Sequence, residues 1–156
     1  MKKLIFIFFA ITCISFVSLS QTDARLSRYP DVSGQQISFV YGGDIWLVSK
    51  QGGTAYKITA SPGEESFPRF SPDGNSIAYS ASYNGNTDVY LLSLKGQGVK
   101  RLTYNSYPDR MVDWHPDGKS LLIATRKESG SQAFSQFYAL SVNGGLPEKL
   151  PIPYGE

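Results

Sequence analysis

The feature that most constrains this chain is an internal repeat that occurs three times in one register. Each copy opens on a turn glycine, Gly34, Gly74 or Gly118, with apolar residues three and five positions later. An aromatic segment follows in each copy; the three segments are Asp44-Ile45-Trp46, Asp88-Val89-Tyr90 and Gln136-Phe137-Tyr138. Fifteen positions after the first residue of each segment stand Thr59, Thr103 and Pro151. Periods of 44 and 48 residues between these last positions are typical of architectures in which similar units stack on one another.

The three units differ in length at one place. The interval from the turn glycine to the aromatic segment takes 10, 14 and 18 residues, whereas the interval after the segment stays constant. Loops absorb insertions and paired strands do not, so this interval is predicted to be a surface loop.

The contents of each unit predict four short strands joined by tight turns. Pro72-Asp73-Gly74 and Pro116-Asp117-Gly118 predict tight turns, because proline presets φ, aspartate bonds its own backbone and glycine accepts positive φ. β-branched and aromatic residues fill the intervening segments, and no helical periodicity interrupts them. We therefore predict an all-β fold with three four-stranded β-propeller blades, at about residues 26–59, 67–103 and 109–151.

The first twenty residues predict an export signal. Lys2 and Lys3 precede the apolar run Leu4–Leu19, and the small-residue pattern Ser18-Leu19-Ser20 ends it. This run of sixteen residues is shorter than the roughly 20 that span a bilayer, so a retained anchor is the weaker alternative. A further alternative is lipid modification at Cys13, the only cysteine of the chain. Residues 1–20 are thus assigned to a signal peptide and 21–156 to a partial propeller in the periplasm or cell envelope of a bacterium.

Charge argues against a nucleic-acid surface. Lys2 and Lys3 are the only charges before Gln21, which leaves 13 basic against 13 acidic residues in the rest of the chain. A formally neutral chain offers no electrostatic basis for binding phosphate backbones.

The ordered motifs resemble one family of propellers. The turn segments FSPDG at Phe70 and WHPDG at Trp114 are similar to those of tricorn-type and TolB-type propellers. GGDIWLVSKQGGTAYKIT from Gly42, RLTY from Arg101 and LPIPYGE from Leu150 resemble the opening blades of bacterial tricorn protease homologues. The resemblance implies a six-bladed propeller of which three blades are present here. It also implies a second propeller, a PDZ-like domain and a serine peptidase domain further along the polypeptide.

No residue is assigned to catalysis, to a cofactor or to a metal. His115, the only histidine, occupies the position of Ser71 beside the second turn and is interpreted as a turn residue. Gly118-Lys119-Ser120 fails as a phosphate-binding loop because Asp113 stands where that loop needs glycine. A G-x-S-x-G nucleophile elbow does not occur in the sequence.

Two further groups of residues are given structural interpretations. Asn84, Asn86 and Asp88 lie in the variable loop without the closing glutamate of a calcium loop, so turn chemistry accounts for them. Large aromatic residues recur at equivalent positions and are predicted to pack between blades; they are Trp46, Tyr90, Trp114 and Tyr138.

The resemblance implies that this propeller gates or docks peptides for an exported serine peptidase, with peptides or proteins as partners and no activity of its own. Two alternatives stay open: a non-enzymatic TolB-like propeller that docks envelope proteins, and the propeller of a prolyl-oligopeptidase relative.

Three blades are fewer than the four to eight of closed propellers, so we expect two bare apolar faces and self-association. The first face is expected near Ile37 and Trp46 and the second near Ile123 and Tyr138.

The export signal predicts that the mature amino terminus is Gln21. The basic start, the apolar run and the small residues before the cleavage site are the features that signal peptidase recognises. Intact-mass spectrometry of the chain recovered from the cell envelope of an expressing bacterium checks this, with cytoplasmic material as the control. Recovery of envelope material that retains residues 1–20 would contradict it.

Overall fold

The computed structural model of this chain describes residues 26–129 and 134–152. This part of the chain is organised as twelve β-strands: β1 (Arg28–Ser33), β2 (Gln36–Tyr41), β3 (Asp44–Ser49), β4 (Tyr56–Lys57), β5 (Glu65–Phe70), β6 (Ser76–Ala81), β7 (Asp88–Ser93), β8 (Gly98–Arg101), β9 (Asp109–Trp114), β10 (Ser120–Thr125), β11 (Gln136–Ser141) and β12 (Glu148–Lys149).

The strands form three four-stranded sheets, each an antiparallel meander in chain order. Blade 1 comprises β1–β4, blade 2 comprises β5–β8 and blade 3 comprises β9–β12. The predicted all-β fold of three four-stranded blades is therefore confirmed. The interval of variable length connects the second strand of each blade to the third, where it grows from Gly42-Gly43 to residues 82–87 and 126–135.

The two Pro-Asp-Gly turns have the same backbone geometry. In blade 2 the Ser71 amide donates to the Ser76 carbonyl at 2.8 Å, and in blade 3 the His115 amide donates to the Ser120 carbonyl at 2.9 Å. Gly74 and Gly118 both have φ of 68°, which only glycine adopts without strain.

Blade 2 lies between the other two sheets. Its strand β6 is buried from Ile77 to Ala81, on both faces, whereas β2 of blade 1 alternates between buried and half-buried residues. One apolar cluster joins blades 1 and 2 and includes Ile45, Leu47, Ile77, Tyr79 and Tyr90; a second joins blades 2 and 3 and includes Ala78, Val89, Met111, Ile123 and Tyr138. We call the side of each sheet toward the preceding blade its N-side face, and the other its C-side face.

The repeated register puts equivalent residues on equivalent faces. Tyr90 and Tyr138 lie on N-side faces and are buried, as predicted, and the half-buried Trp114 packs against the second cluster. Trp46 lies on the N-side face of blade 1, opposite the face that Ile45 turns to blade 2, so it does not pack between two described blades.

The expected position of the second bare face was wrong. Ile123 and Tyr138 are 0% and 1% exposed because they lie against blade 2. Strand alternation instead puts Leu122 and Phe137 on the C-side face of blade 3, where both are half-buried.

A polar clasp joins blades 1 and 2 beside the apolar cluster. The Thr59 hydroxyl, at the end of blade 1, donates to the carboxylate of Glu65, the first residue of blade 2. It also accepts the Ile45 amide at 2.8 Å, and that amide lies 3.0 Å from Glu65 Oε2. At the next junction Thr103 accepts the Val89 amide at 2.9 Å beside the buried Asp109.

Burial sets the ionisation of the clasp carboxylate. Glu65 is 3% exposed and also accepts a hydrogen bond from the Tyr83 hydroxyl, which lies 3.1 Å from that of Tyr79. Desolvation raises the pKa of Glu65 above 4.5; the bonds from Thr59, Tyr83 and Ile45 oppose this rise, and the charge of Asp44 adds to it. The folded state thus binds the Glu65 proton more tightly than the unfolded chain.

Because the folded pKa is raised, the stability contributed by protonated Glu65 is complete below pH 4.5 and is lost as pH rises through the folded pKa. We therefore expect the melting temperature of the unmodified chain to fall relative to that of Glu65→Gln as pH rises from about 4 to about 8. Thermal melts across that range measure the difference, with the exposed neighbour Glu64→Gln as matched control. A difference in melting temperature between the unmodified chain and Glu65→Gln that stays constant across this pH range would contradict the expectation.

Gly63 is predicted to tolerate no side chain. Its φ is +124°, and a Cβ there would lie 2.7 Å from the Ser82 carbonyl oxygen, whereas Gly85 has φ of +80° and open space around its Cβ position. Gly63→Ala should lower the free energy of unfolding by about 3 kcal/mol and Gly85→Ala by about 1 kcal/mol, since only the former adds a backbone clash to the strain. Urea unfolding measures both, and equal losses would contradict the steric argument.

Candidate functional site

The innermost strands of the three blades lie side by side. β1, β5 and β9 each form the edge of their own sheet, and β5 contacts both β1 and β9. Pairing is irregular in all three: the register shifts between Arg28 and Asp31 in β1, between Ser66 and Arg69 in β5, and opposite Leu122 and Ile123 in β9. Such bulges re-aim side chains and are frequent beside functional sites.

In two of the bulges, one aromatic residue has a strained backbone conformation. Tyr29 and Phe67 both have φ of 52°, and they are the two non-glycine residues with positive φ among those that the structure describes. They occupy equivalent positions, each directly before a proline, Pro30 or Pro68. An aromatic residue in the left-handed region costs about 1–3 kcal/mol and persists only where the surrounding structure holds it.

Tyr29, Phe67 and Arg110 form a continuous strip, one residue from each blade, which we call the inner strip. The Tyr29 and Phe67 rings are tilted by 40° with centroids 4.2 Å apart. The Arg110 guanidinium carbon lies 5.3 Å from the centroid of the Phe67 ring, within cation–π range. Tyr29 is 36% exposed and Arg110 is exposed, so an incoming group can reach both ends of the strip.

Arg69 braces the three inner strands beneath the strip. Its Nε donates to the Val112 carbonyl of blade 3 at 3.2 Å, and its Nη1 donates to the Pro30 carbonyl of blade 1 at 3.4 Å. The same guanidinium lies 3.7 Å from Asp31, and its own backbone carbonyl accepts the Trp114 indole at 2.9 Å. One side chain thus ties together the bulged segments of all three blades.

A cleft of about 430 Å³ adjoins the strip on the side of blades 1 and 2. Its lining combines the Tyr29 ring and Arg28 with the carboxyl-bearing residues Glu64 and Glu65 and the backbone of Gly42-Gly43. This volume is within the range of clefts that hold a few residues of a peptide or a small molecule.

The arrangement is suited to binding. Exposed aromatic faces stack on aromatic or cationic groups, the Arg110 guanidinium attracts carboxylates, and extended backbone at a strand edge offers hydrogen bonds to a second extended chain.

His115 lies in the β9–β10 turn. Its Nδ1 accepts the Asp117 amide at 3.3 Å and lies 2.9 Å from Asp117 Oδ1. The pKa of Asp117 is lowered by two hydrogen bonds. The larger effect comes from the Lys119 amide and the smaller from the His115 side chain. Gly118-Lys119-Ser120 is likewise part of this turn, since the Lys119 amide donates to Asp117 at 2.8 Å.

The corresponding turn of blade 2 has the same chemistry. Asp73 Oδ1 accepts the Ser71 hydroxyl at 2.6 Å and the Asn75 amide at 3.1 Å. The bonds from Ser71 and Asn75 lower the pKa of Asp73 to about 2. His115 therefore takes the structural position that Ser71 takes in blade 2.

The prediction that Asn84, Asn86 and Asp88 all lie in the second variable loop was wrong for Asp88, which is the first residue of β7. Asp88 and Asn86 have separate partners. Asp88 is buried and pairs with Arg101 at 2.7 Å, and Asn86 donates to the Asn105 carbonyl at 2.9 Å. Asn84 is exposed. Across residues 26–129 and 134–152, no group of three or more His, Cys, Asp or Glu side chains is placed to hold a metal ion. In the same ranges, no helix is both long and apolar enough to cross a membrane.

Sequence reasoning did not find Tyr29, Phe67, Arg69 or Arg110. The repeated pair of an aromatic residue and a proline, Tyr29-Pro30 and Phe67-Pro68, was an available signal. The other two residues carry no such signal, because their roles depend on strands from different blades lying side by side.

Comparison with known proteins shows which family the chain belongs to. The sequence model of the tricorn protease N-terminal beta propeller domain matches residues 24–156. The chain is 30% identical over 131 residues to tricorn protease homolog 1 of Streptomyces coelicolor, covering 83% of this chain and 12% of that protein. It is 29% identical over 130 residues to a putative tricorn-like protease N-terminal subunit of Sulfurisphaera tokodaii, covering 80% of this chain and 65% of the relative.

Solved structures agree with the sequence comparisons. The crystal structure of the tricorn protease superposes with a TM-score of 0.70 at 28% identity, over 80% of this chain and 13% of that one. A putative TolB from Agrobacterium tumefaciens superposes with a TM-score of 0.67 at 20% identity, over 79% of this chain and 48% of that one, which shows a shared fold. The resemblance read from the sequence is thereby confirmed, and this chain belongs to the family of tricorn protease N-terminal β-propeller domains.

Proposed function

We propose that this chain is the propeller portion of an exported, tricorn-like serine peptidase, and that its inner strip docks peptide segments and so gates their access to proteolysis. Family membership supports a propeller module of such a peptidase. The signal-like pattern of residues 1–20 supports export. The single observation that carries the docking role is the strip of Tyr29, Phe67 and Arg110 on three adjacent inner strands, which is exposed at both ends and has two aromatic residues in a strained backbone conformation.

The strip is organised before any peptide arrives. Arg69 fixes the bulged strands to one another, and the ring contact fixes Tyr29 against Phe67. A rigid site loses little conformational entropy on binding, so modest contacts suffice for useful affinity. An extended peptide would lay an aromatic side chain on the rings and a carboxylate against Arg110.

Hydrolysis is assigned to another part of the peptidase. Serine peptidases need a nucleophile activated by an adjacent base, commonly a histidine. The one histidine of this sequence, His115, is engaged in a turn with Asp117. The role proposed for this chain is therefore capture and routing.

A second candidate is a TolB-like envelope propeller that docks folded proteins. TolB from Acinetobacter baumannii supports it, with a TM-score of 0.65 at 26% identity over 81% of this chain and 32% of that one. In that role the binding surface would be specific for a folded partner, and the inner strip would have no preference for an extended peptide.

Binding of a fluorescein-labelled, unstructured decapeptide that contains phenylalanine and ends in a free carboxylate tests the docking role by fluorescence anisotropy. We expect Phe67→Ala and Arg110→Met each to weaken binding about fivefold, since a stacking or cation–π contact contributes about 1 kcal/mol. Tyr107→Ala is the matched control, because Tyr107 is 47% exposed and lies outside the strip.

Circular dichroism and thermal melting confirm that each variant is folded. Equal affinity of the unmodified chain, both strip variants and the control would contradict peptide docking at the strip. Chromatography of the same mixture should show the peptide intact. Cleavage that His115→Ala abolishes would contradict the noncatalytic role.

A further inference from the structure

We propose that the junction of blades 2 and 3 binds one monovalent metal cation, Na⁺, between the carboxylate of Asp109 and the hydroxyl of Thr125. This inference goes beyond the proposed peptide docking, because the two side chains face blade 2 and are not part of the inner strip. The bound cation would stabilise the stacking of the two sheets.

Three polar side chains lie in a row across blade 3. Asp109 is opposite Thr125 in the register of β9 and β10, and Thr125 is opposite Gln136 in the register of β10 and β11. Residues directly opposite one another in antiparallel strands share a face of the sheet. This is the N-side face, because Thr125 is two positions from Ile123, which packs against blade 2. The three side chains of the row are buried.

Two oxygen atoms of this row have no hydrogen-bond partner among the described residues. They are Asp109 Oδ1 and Thr125 Oγ1, in residues that are 0% and 2% exposed. The other carboxylate oxygen, Asp109 Oδ2, accepts the side-chain amide of Asn105 at 2.6 Å. A buried polar atom without a partner is costly, so a bound water or ion is the usual explanation for one in a folded protein.

The charges around Asp109 favour a cation over a water molecule. Desolvation raises the pKa of Asp109, and the charge of Asp88 adds to that rise. Asp88 has its own counter-ion, the Arg101 guanidinium at 2.7 Å. Within residues 26–129 and 134–152, no basic side chain forms an ion pair with Asp109. A bound cation would supply the positive charge that this carboxylate lacks, and a water molecule would not.

The junction of blades 1 and 2 shows the alternative solution. Glu65 is opposite Ala81 where Asp109 is opposite Thr125. The acid of blade 3 is thus one methylene shorter, and a hydroxyl stands where blade 2 has a methyl group. Both carboxylate oxygens of Glu65 accept hydrogen bonds; the donors are Thr59, Tyr83 and the Ile45 amide. The first junction therefore satisfies its carboxylate with donors, whereas the second places two oxygens together without them.

The ligand set suits a cation of single charge. Ca²⁺ takes six to eight oxygen ligands, and Mg²⁺ demands an octahedral set. Here Asp109 is the one carboxylate without a counter-ion, and the neighbouring Thr103 hydroxyl already donates to Asp88 at 3.4 Å and accepts the Val89 amide. Carboxylate and hydroxyl oxygens are hard ligands, which hard cations prefer. One carboxylate and one hydroxyl differ from the clusters of three or more His, Cys, Asp or Glu that the described ranges lack.

Thermal melting in two salts tests the proposal. The chain is melted at pH 8, which favours the ionised carboxylate, in sodium chloride or in tetramethylammonium chloride at equal concentration. Ionic strength is then the same, and the organic cation is too large for a buried site between two side chains. We expect a melting temperature about 3 °C higher in Na⁺, with a difference that saturates as the concentration rises.

Two variants locate the cation. Asp109→Asn removes the charge, and Thr125→Val removes the hydroxyl while keeping the branched shape. Each should abolish the difference between the two salts, and comparing the salts within one variant cancels the effect of the substitution itself. Glu65→Gln is the matched control at the equivalent position of blade 2 and should keep the difference.

Sodium-23 NMR gives a readout that does not depend on unfolding. Bound Na⁺ relaxes faster than free Na⁺, so the unmodified chain and Glu65→Gln should broaden the sodium signal. Folded Thr125→Val and Asp109→Asn should broaden it less.

Equal melting temperatures of the unmodified chain in the two salts would overturn the proposal, since a water or a proton between Asp109 and Thr125 would then suffice. A sodium effect that persists in both variants would place the ion elsewhere and overturn it too. Stabilisation by Ca²⁺ without any by Na⁺ would overturn the assigned charge of the cation. None of these outcomes depends on peptide binding at the inner strip.

Discussion

Packing of one sheet face on the next is the interaction on which this structure depends. A four-stranded blade has two faces, and blade 2 shows what happens when both are covered: Ile77 and Tyr79 on one side and Ala78 on the other are completely buried. Burial of a large apolar side chain contributes about 1.5–3 kcal/mol, whereas one strand hydrogen bond contributes about 0.5–1.5 kcal/mol net. The stability of each blade is therefore largely a property of its junctions, as in other repeat proteins.

The polar clasp adds specificity to those junctions. Thr59 and Glu65 join the end of one blade to the start of the next, and Thr103 and Asp109 stand at the equivalent place one blade later. Burial raises the pKa of Glu65 and of Asp109, and the hydrogen bonds that each carboxylate accepts oppose this rise, so the donors reduce the cost of ionising the two buried groups. Correct stacking of consecutive blades supplies the donors that lie on the preceding blade, Thr59 for Glu65 and Thr103 for Asp109.

Rigidity at the junctions allows strain at the inner edge. Tyr29 and Phe67 keep a left-handed backbone because the bulged strands lie against one another and are joined by Arg69. The consequence is a row of groups that no single blade could present. The proposed peptide docking at this row therefore uses a feature that arises from stacking.

The sequence by itself determined the repeat, the all-β class, the Pro-Asp-Gly turns, the variable loop and the family. These are local: the turn at Gly74 or Gly118 is encoded within a few residues, and strand alternation within one blade. Sequence alone did not determine which faces are covered, so Tyr138 was assigned to a bare face although blade 2 buries it. It also did not reveal Arg69 or Arg110, because their partners lie one blade away. Contacts between blades depend on how sheets stack in space, and that only the tertiary structure decided.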